Sequence, residues 1–191
     1  PEKAHGTTPV EGYKNTESDS LVIQDSVQFF DDMESSVLTG YFVEGSLDSM
    51  RLEGMATSLY HIFEDSLYQG RNETSGDTII ITFLNNDLDK LTVIGGSQGT
   101  YTPDKAGAGM EFPITYSADK IRYRVPVEET DLAGQAKIKH DNTDLEAGFV
   151  TVDWKTNMLN ALPRFEQDSL SGSIQPVIKE KGKDPMTGDR M

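Results

Sequence analysis

The chain has 191 residues, a formal charge of −15 and a sequence pI near 4.5; it is 36% hydrophobic and 26% charged and contains no cysteine. That length can bury a real core in one large domain or two small ones. The acidic balance argues against a nucleic-acid backbone or an anionic membrane surface as partner, since both need clustered Lys and Arg, and no basic patch for a small polyanion is evident. Without cysteine there are no disulfides, thiolate nucleophiles or Cys-type zinc sites. No run approaches the roughly 18 consecutive apolar residues of a spanning helix.

Residues 1–20, PEKAHGTTPVEGYKNTESDS, are polar and read as a loop or a ragged first strand ahead of a β-domain over 21–191. In LVIQDSVQFF (21–30), Leu21/Ile23 and Val27/Phe29 have strand spacing, with a bend expected at Asp25-Ser26 and a break at Asp31-Asp32. Residues 36–43 form another short strand, closed by a turn at Glu44-Gly45.

The chain is organised around residues 50–93. Met50, Leu52, Gly54, Ala56, Ser58 and Tyr60 share one side of a period-2 element, Ile79, Ile81 and Phe83 one side of a second, and Leu91 and Val93 one side of a third. Residues two apart lie on one face of a strand, so each reads as a strand with one buried face. Asn85-Asn86-Asp87 suits a hairpin turn. Leu59, Ile62, Phe63 and Leu67 have helix-like spacing, but the Ser, Thr and His around them favour a strand pair, and no segment sustains a helical period over three turns.

GGSQGTYTPDKAGAGMEFP (95–113) is the most loop-like interior passage. Alternation then resumes through Ile121, Tyr123 and Val125 to Pro126. It continues through Leu132, Gly134, Ala136 and Ile138, and through Val150, Val152 and Trp154. A turn at Asn157, a strand with Leu159 and Ala161, and a short strand over 167–177 follow. Residue 1 is not Met, no secretory signal is visible, and KGKDPMTGDRM stops in a turn-rich segment, so a fragment of a longer chain is expected.

Internal copies decide the architecture. Leu52-Glu53-Gly54-Met55-Ala56 matches Leu132-Ala133-Gly134-Gln135-Ala136, and Leu38-Thr39-Gly40 and Leu170-Ser171-Gly172 echo its first half. Ile79-x-Ile81-x-Phe83 with Asn86 and Leu88 matches Val150-x-Val152-x-Trp154 with Asn157 and Leu159. The first match is offset by 80 residues (52 to 132) and the second by 71 (79 to 150), which places nine extra residues in the first copy, within DSLYQGRNETSGD. Repeated strand units that cannot bury a face alone must stack, giving an elongated, open-ended β-structure; a closed sandwich fits the strand count but does not predict the copies.

No catalytic set emerges. Gly95-Gly96-Ser97-Gln98-Gly99 matches a nucleophile elbow literally, but Thr100-Tyr101-Thr102-Pro103 is a poor helix start, so a Gly-rich turn between strands is the better reading. Asn85-x-Asp87-x-Asp89 opens like a calcium loop, yet Lys90 and Gly96 stand where Gly and Glu belong; it and Asp141-Asn142-Thr143-Asp144 read as hairpin turns. His5, His61 and His140 have no metal spacing. Asn72-Glu73-Thr74 is a glycosylation sequon by pattern only. Asp31/Asp32 and Glu128/Glu129 are sequence neighbours, so on a strand each pair points to opposite faces and makes no acid/base dyad. No cofactor is expected. Trp154 reads either as core or as part of an apolar groove, where burying acyl chains would gain about 0.8 kcal/mol per CH₂.

The L-x-G-x-A copies, with SGDTIIITFLNNDLDKLTVIGG, YSADKIRY and LEAGFVTVDWKTNMLNA, resemble the repeats of the OstA family, the lipopolysaccharide-transport proteins LptA, LptC and the N-terminal part of LptD. GSLDSMRLEGMATSLYHIFEDSLYQGRNETSGDTIIITF particularly resembles OstA-like proteins of Bacteroidetes and neighbouring phyla. The resemblance spans residues 21–191, and its closing DPMTGDRM looks like the start of a further repeat. It implies an all-β, antiparallel β-jelly-roll, a taco-like stack with open ends, acting without catalysis in the periplasm near the outer membrane. Its interior would shield the acyl chains of lipid A, and its edges would pair with other OstA-fold domains or with a second copy. The groove residues so expected are Leu52, Ala56, Ile79, Ile81, Phe83, Leu91, Val93, Ile121, Tyr123, Leu132, Ala136, Ile138, Val150, Val152, Trp154 and Leu159. The −15 charge and the nine-residue insertion depart from that pattern. A ligand-free structural β-repeat scaffold and a β-solenoid hydrolase are the alternatives, the latter lacking two facing acids.

Overall fold

A computed structural model describes residues 4–18, 21–64, 67–104, 111–156, 158–163 and 175–191. Twelve strands follow in order: β1 (Ala4–Ser18), β2 (Leu21–Ser35), β3 (Val37–Val43), β4 (Ser46–Glu64), β5 (Leu67–Leu84), β6 (Asp87–Pro103), β7 (Ile114–Arg124), β8 (Glu129–His140), β9 (Thr143–Asp153), β10 (Met158–Leu162), β11 (Val177–Glu180) and β12 (Met186–Thr187). A single 3-10 turn over Val125–Val127, set by Pro126, separates β7 from β8. The all-β, antiparallel, open architecture expected from the alternation is borne out: one sheet, ordered β12-β11-β9-β8-β7-β6-β5-β1-β2-β4-β3, in which β4 also pairs β5 and β10 pairs β9. One parallel contact, Tyr13 with Leu67, joins β1 to β5.

The internal copies coincide with strand register. Leu52 pairs with Ile79 and Leu132 pairs with Val150, so the two offsets describe the same cross-strand pair in two hairpins, β4–β5 and β8–β9, with β6 and β7 between them. The extra nine residues are shared between both strands of the first hairpin rather than held within 65–77. Past Ala56, β4 runs eight residues to Glu64, where β8 runs four past Ala136 to His140; the returning arms to Gly76 and Ala147 take nine and four. The result is a longer arm, onto which β2 docks through Asp32–Leu59, Met33–Ser58 and Glu34–Thr57.

The register slips at one level in five successive strands, between Glu53/Ala56, Ser75/Thr78, Ile94/Ser97, Ser117/Lys120 and Ala133/Ala136. Three of them carry a pair of left-handed residues there: Gly54-Met55, Gly95-Gly96 and Gly134-Gln135. Such bulges bend a strand and raise its twist, so each long strand turns a corner and the sheet folds into two facing arms. The glycines are forced from both sides. Their φ values of 81°, 79° and 77° are costly for any residue with a Cβ. A Cβ at Gly95 or Gly134 would also strike the carboxylate of Asp77 or Asp119 on the next strand.

Several expectations are corrected. β2 runs unbroken through Asp25-Ser26 and Asp31-Asp32, because its partner β1 continues alongside it to Ala4. The polar stretch 4–18 is therefore a strand of the sheet. Residues 95–103 continue β6 rather than forming a loop, and Gly95-Gly96 is a corner within the strand, not a turn between strands. Leu38-Thr39-Gly40 lies in β3 opposite straight β4 backbone and makes no corner. Asn157, Leu170-Ser171-Gly172 and most of the strand expected over 167–177 fall outside the described residues; β11 begins at Val177.

Candidate functional site

The interior between the arms is built in rows. On the first arm Leu52, Ile79, Val93, Ile121, Leu132, Val150 and Ala161 pair in succession across seven strands. All seven are 0–1% exposed. One step further from the corner run Met50, Ile81, Leu91, Tyr123, Thr130, Val152 and Leu159. On the second arm the inward positions beside the corner are small: Ala56, Ser97, Ala118, Ala136 and Ala147. Large aliphatics of one arm thus meet small residues of the other, which closes the space near the fold line.

The sixteen expected groove residues divide on this geometry. Leu52, Ala56, Ile79, Ile81, Leu91, Val93, Ile121, Leu132, Ala136 and Val150 are buried in the core. Phe83, Ile138, Val152 and Leu159 are partly buried and pack on that core, while Tyr123 and Trp154, also partly buried, lie at its margin. There the arms meet through aromatic pairs. Tyr60 of β4 stacks on Tyr123 of β7 with centroids 6.1 Å apart, and Tyr101 of β6 faces Trp154, beyond β9, at 6.2 Å. Trp154 is anchored by its indole N–H, which donates to Thr130 Oγ1 at 2.8 Å.

Further out on the second arm the interior is polar. Asn72 is nearly buried and bridges two tyrosines: its Nδ2 donates to Tyr60 Oη at 2.7 Å, and Tyr116 Oη donates to its Oδ1 at 2.7 Å. The Tyr116 ring reaches it by lying over Gly99, where a Cβ would collide with the phenol. Burial pushes the Tyr60 and Tyr116 phenols well above their ordinary range, against the pull of Asn72. Tyr101, whose hydroxyl donates to the Gln69 carbonyl at 2.9 Å, is pushed up to about 12, chiefly by burial. The amide of the Asn72-Glu73-Thr74 pattern match is thus enclosed in this network, as a chance match allows. No single short motif announces this cluster; its members come from β4, β5 and β7.

At the tip of the long arm His61 meets Asp31, with backbone N–H to Oδ1 at 2.8 Å and Nδ1 to Oδ1 at 3.1 Å, against the ring of Phe29. Asp32 faces the other way and lines an outer concavity of the second arm with Glu34. The serine of the G-x-S-x-G match, Ser97, is 1% exposed, and its hydroxyl donates to the Asp119 carbonyl at 3.3 Å. It occupies the position of Ala56 and Ala136, so the match is a third copy of the corner repeat. Asn85-Asn86 and Asp141-Asn142 form hairpin turns, with Asn85, Asn86 and Asp141 left-handed. Among the described residues no group of three or more His, Asp or Glu is placed to hold a metal.

The outer face of the first arm holds a second cleft of about 740 Å³, bordered by Lys90, Lys120, Arg122 and Arg124. Sequence reading finds no basic patch because these residues sit on two strands 30 positions apart, and the register brings them together.

No protein-family model matches the sequence, and no curated protein matches it significantly. Among solved structures the chain is similar to LptH of Pseudomonas aeruginosa, described as the LptA homologous periplasmic component of the conserved lipopolysaccharide transport device. The two share 14% identity at a TM-score of 0.60, over 79% of this chain and 94% of LptH. The chain therefore has the LptA-like β-jelly-roll fold.

Proposed function

We propose that this chain is a non-enzymatic domain of lipopolysaccharide transport in the periplasm, which takes lipid A acyl chains between its two arms. The observation that carries the reading is the likeness to almost the whole of LptH, together with an interior held shut at its margin by two aromatic pairs. Separating rings at a margin asks less than opening the Leu and Ile row near the corner, so acyl chains would enter past Tyr123, Val152 and Trp154. Trp154 is the only tryptophan in the chain and serves as its own reporter. Photo-crosslinking residues at Val152 and Ile138 should capture lipopolysaccharide while one at outward Thr151 should not, and Trp154 emission should shift on titration. Absence of adducts at both inner positions overturns the reading. The second reading, a ligand-free scaffold, draws on the complete burial of the first-arm row; it expects neither adducts nor a shift.

The same proposal extends to the edge. β3, VLTGYFV, carries no charge, and Val37, Tyr41, Phe42 and Val43 are half or more exposed along it. Natural edges are normally guarded by charge, Pro or a cover, so an unguarded apolar edge fits pairing with a strand of a like domain or a second copy. Tyr41→Lys with Phe42→Lys should abolish concentration-dependent association in sedimentation velocity. Unchanged association would remove β3 from the interface.

A further inference from the structure

We propose that the outer face of the first arm is a binding site for a phosphate group, built by Lys90, Lys120, Arg122 and Arg124. The register pairs Lys90 with Arg124, Thr92 with Arg122 and Ile94 with Lys120. These positions alternate with the inward row of Leu91, Val93, Ile121 and Tyr123, so all four cations leave the sheet on its outer side. The surface there is concave. Thr92 is only 6% exposed although it faces outward, and Pro126 and Val127 of the 3-10 turn wall the cleft.

The charge in this cleft opposes that of the molecule. Four cations line it against one carboxylate, Asp89, which accepts a hydrogen bond from Thr82 Oγ1 at 3.3 Å. Arg124 is engaged by Glu129 at 2.7 Å and Asp131 at 3.2 Å, but its buried Nε has no hydrogen-bond partner among the described residues. Lys90, Lys120 and Arg122 are half-buried and make no ion pair with any described residue. With Glu129 and Asp131 counted the cluster is still net positive, in a chain of −15. Distant carboxylates do little against it, because salt screens charge beyond about 8 Å at physiological ionic strength. Partly desolvated cations without counter-charges are costly, and a bound anion removes that cost. A phosphate group fits best: it carries close to two charges and three acceptor oxygens, and it matches the guanidinium fork of Arg122.

This site does not depend on the interior between the arms, so its test is independent of lipid uptake there. The 191-residue chain is titrated with inorganic pyrophosphate by calorimetry and sedimented with phosphatidylcholine vesicles containing phosphatidic acid, whose headgroup is a phosphate monoester. Saturable binding to at least one probe is expected. It should weaken about tenfold or more, roughly the loss of one charge-assisted contact, in Lys120→Gln/Arg122→Gln and again in the separate variant Lys90→Gln. Lys137→Gln/Lys139→Gln, on the outer face of the other arm, should bind as the parent does. Binding of pyrophosphate alone assigns a soluble phosphate ester, and binding of vesicles alone a lipid headgroup. No saturable binding of either probe, or equal loss in the Lys137/Lys139 variant, overturns the proposal.

Discussion

The two arms of the folded sheet share strands but not chemistry. On the first arm the inward rows are mainly Leu, Ile and Val, with Leu52, Ile79 and Leu132 at 0–1% exposure. On the second they pass from Ala and Ser at the corner to Thr74, Asn72, Tyr116 and Tyr101 further out. Burial of aliphatic area is non-directional and tolerates sliding, whereas a buried amide between two phenols fixes distance and orientation. The first arm thus supplies most of the cohesion. The second sets how the arms face one another, and it is the arm lengthened by the nine-residue insertion.

The largest expected effect tests the first arm. Leu132→Ala removes a fully buried side chain in the middle of the row and should cost about 2–5 kcal/mol in urea unfolding. A loss under about 1 kcal/mol would mean that the arms are not closed near the corner. Next comes the corner itself. Gly134→Val places a β-branched residue at φ 77° against Asp119 and should cost about 2–3 kcal/mol. Asp119→Gly in the same chain should restore only the part due to collision, leaving the backbone cost, as a double-mutant cycle would read.

On the second arm, Asn72→Ala leaves two buried phenols without their amide and should cost about 1–3 kcal/mol. If it costs nothing, the network is ornamental and the contrast between the arms fails. The smallest effect is alkaline. Tyr60, Tyr101 and Tyr116 have folded pKa values above the ordinary 10.0 of tyrosine, so the folded state holds more protons there than the unfolded one. Their contribution is complete below pH 10; that of Tyr101 is lost as pH rises toward about 12, and those of Tyr60 and Tyr116 decline over the same rise. The unfolding midpoint should fall over that window, and Tyr101→Phe should flatten part of the fall.

How much of this was legible depends on the range of the interaction. Period-2 alternation found the inward row, because the face a residue takes is decided by its neighbours two positions away. The L-x-G-x-A copies located two corners, and Val93-Ile94-Gly95-Gly96-Ser97 is a third that read instead as a turn, since Ser replaces Ala. Asp31-Asp32 read as a break, yet β1 pairs straight through it. Such pairing across strands overrides local propensity, which is a weak guide for β-structure.

By itself the sequence determined the strand periodicity, the repeat and its two offsets, which needed only comparison along one dimension. Tertiary structure alone decided that Asn72 lies between two tyrosines, that Gly95 is a corner, and that Lys90, Lys120, Arg122 and Arg124 share a cleft. Each of these depends on the register between separate strands, and a one-residue slip would send every one of those side chains to the opposite face.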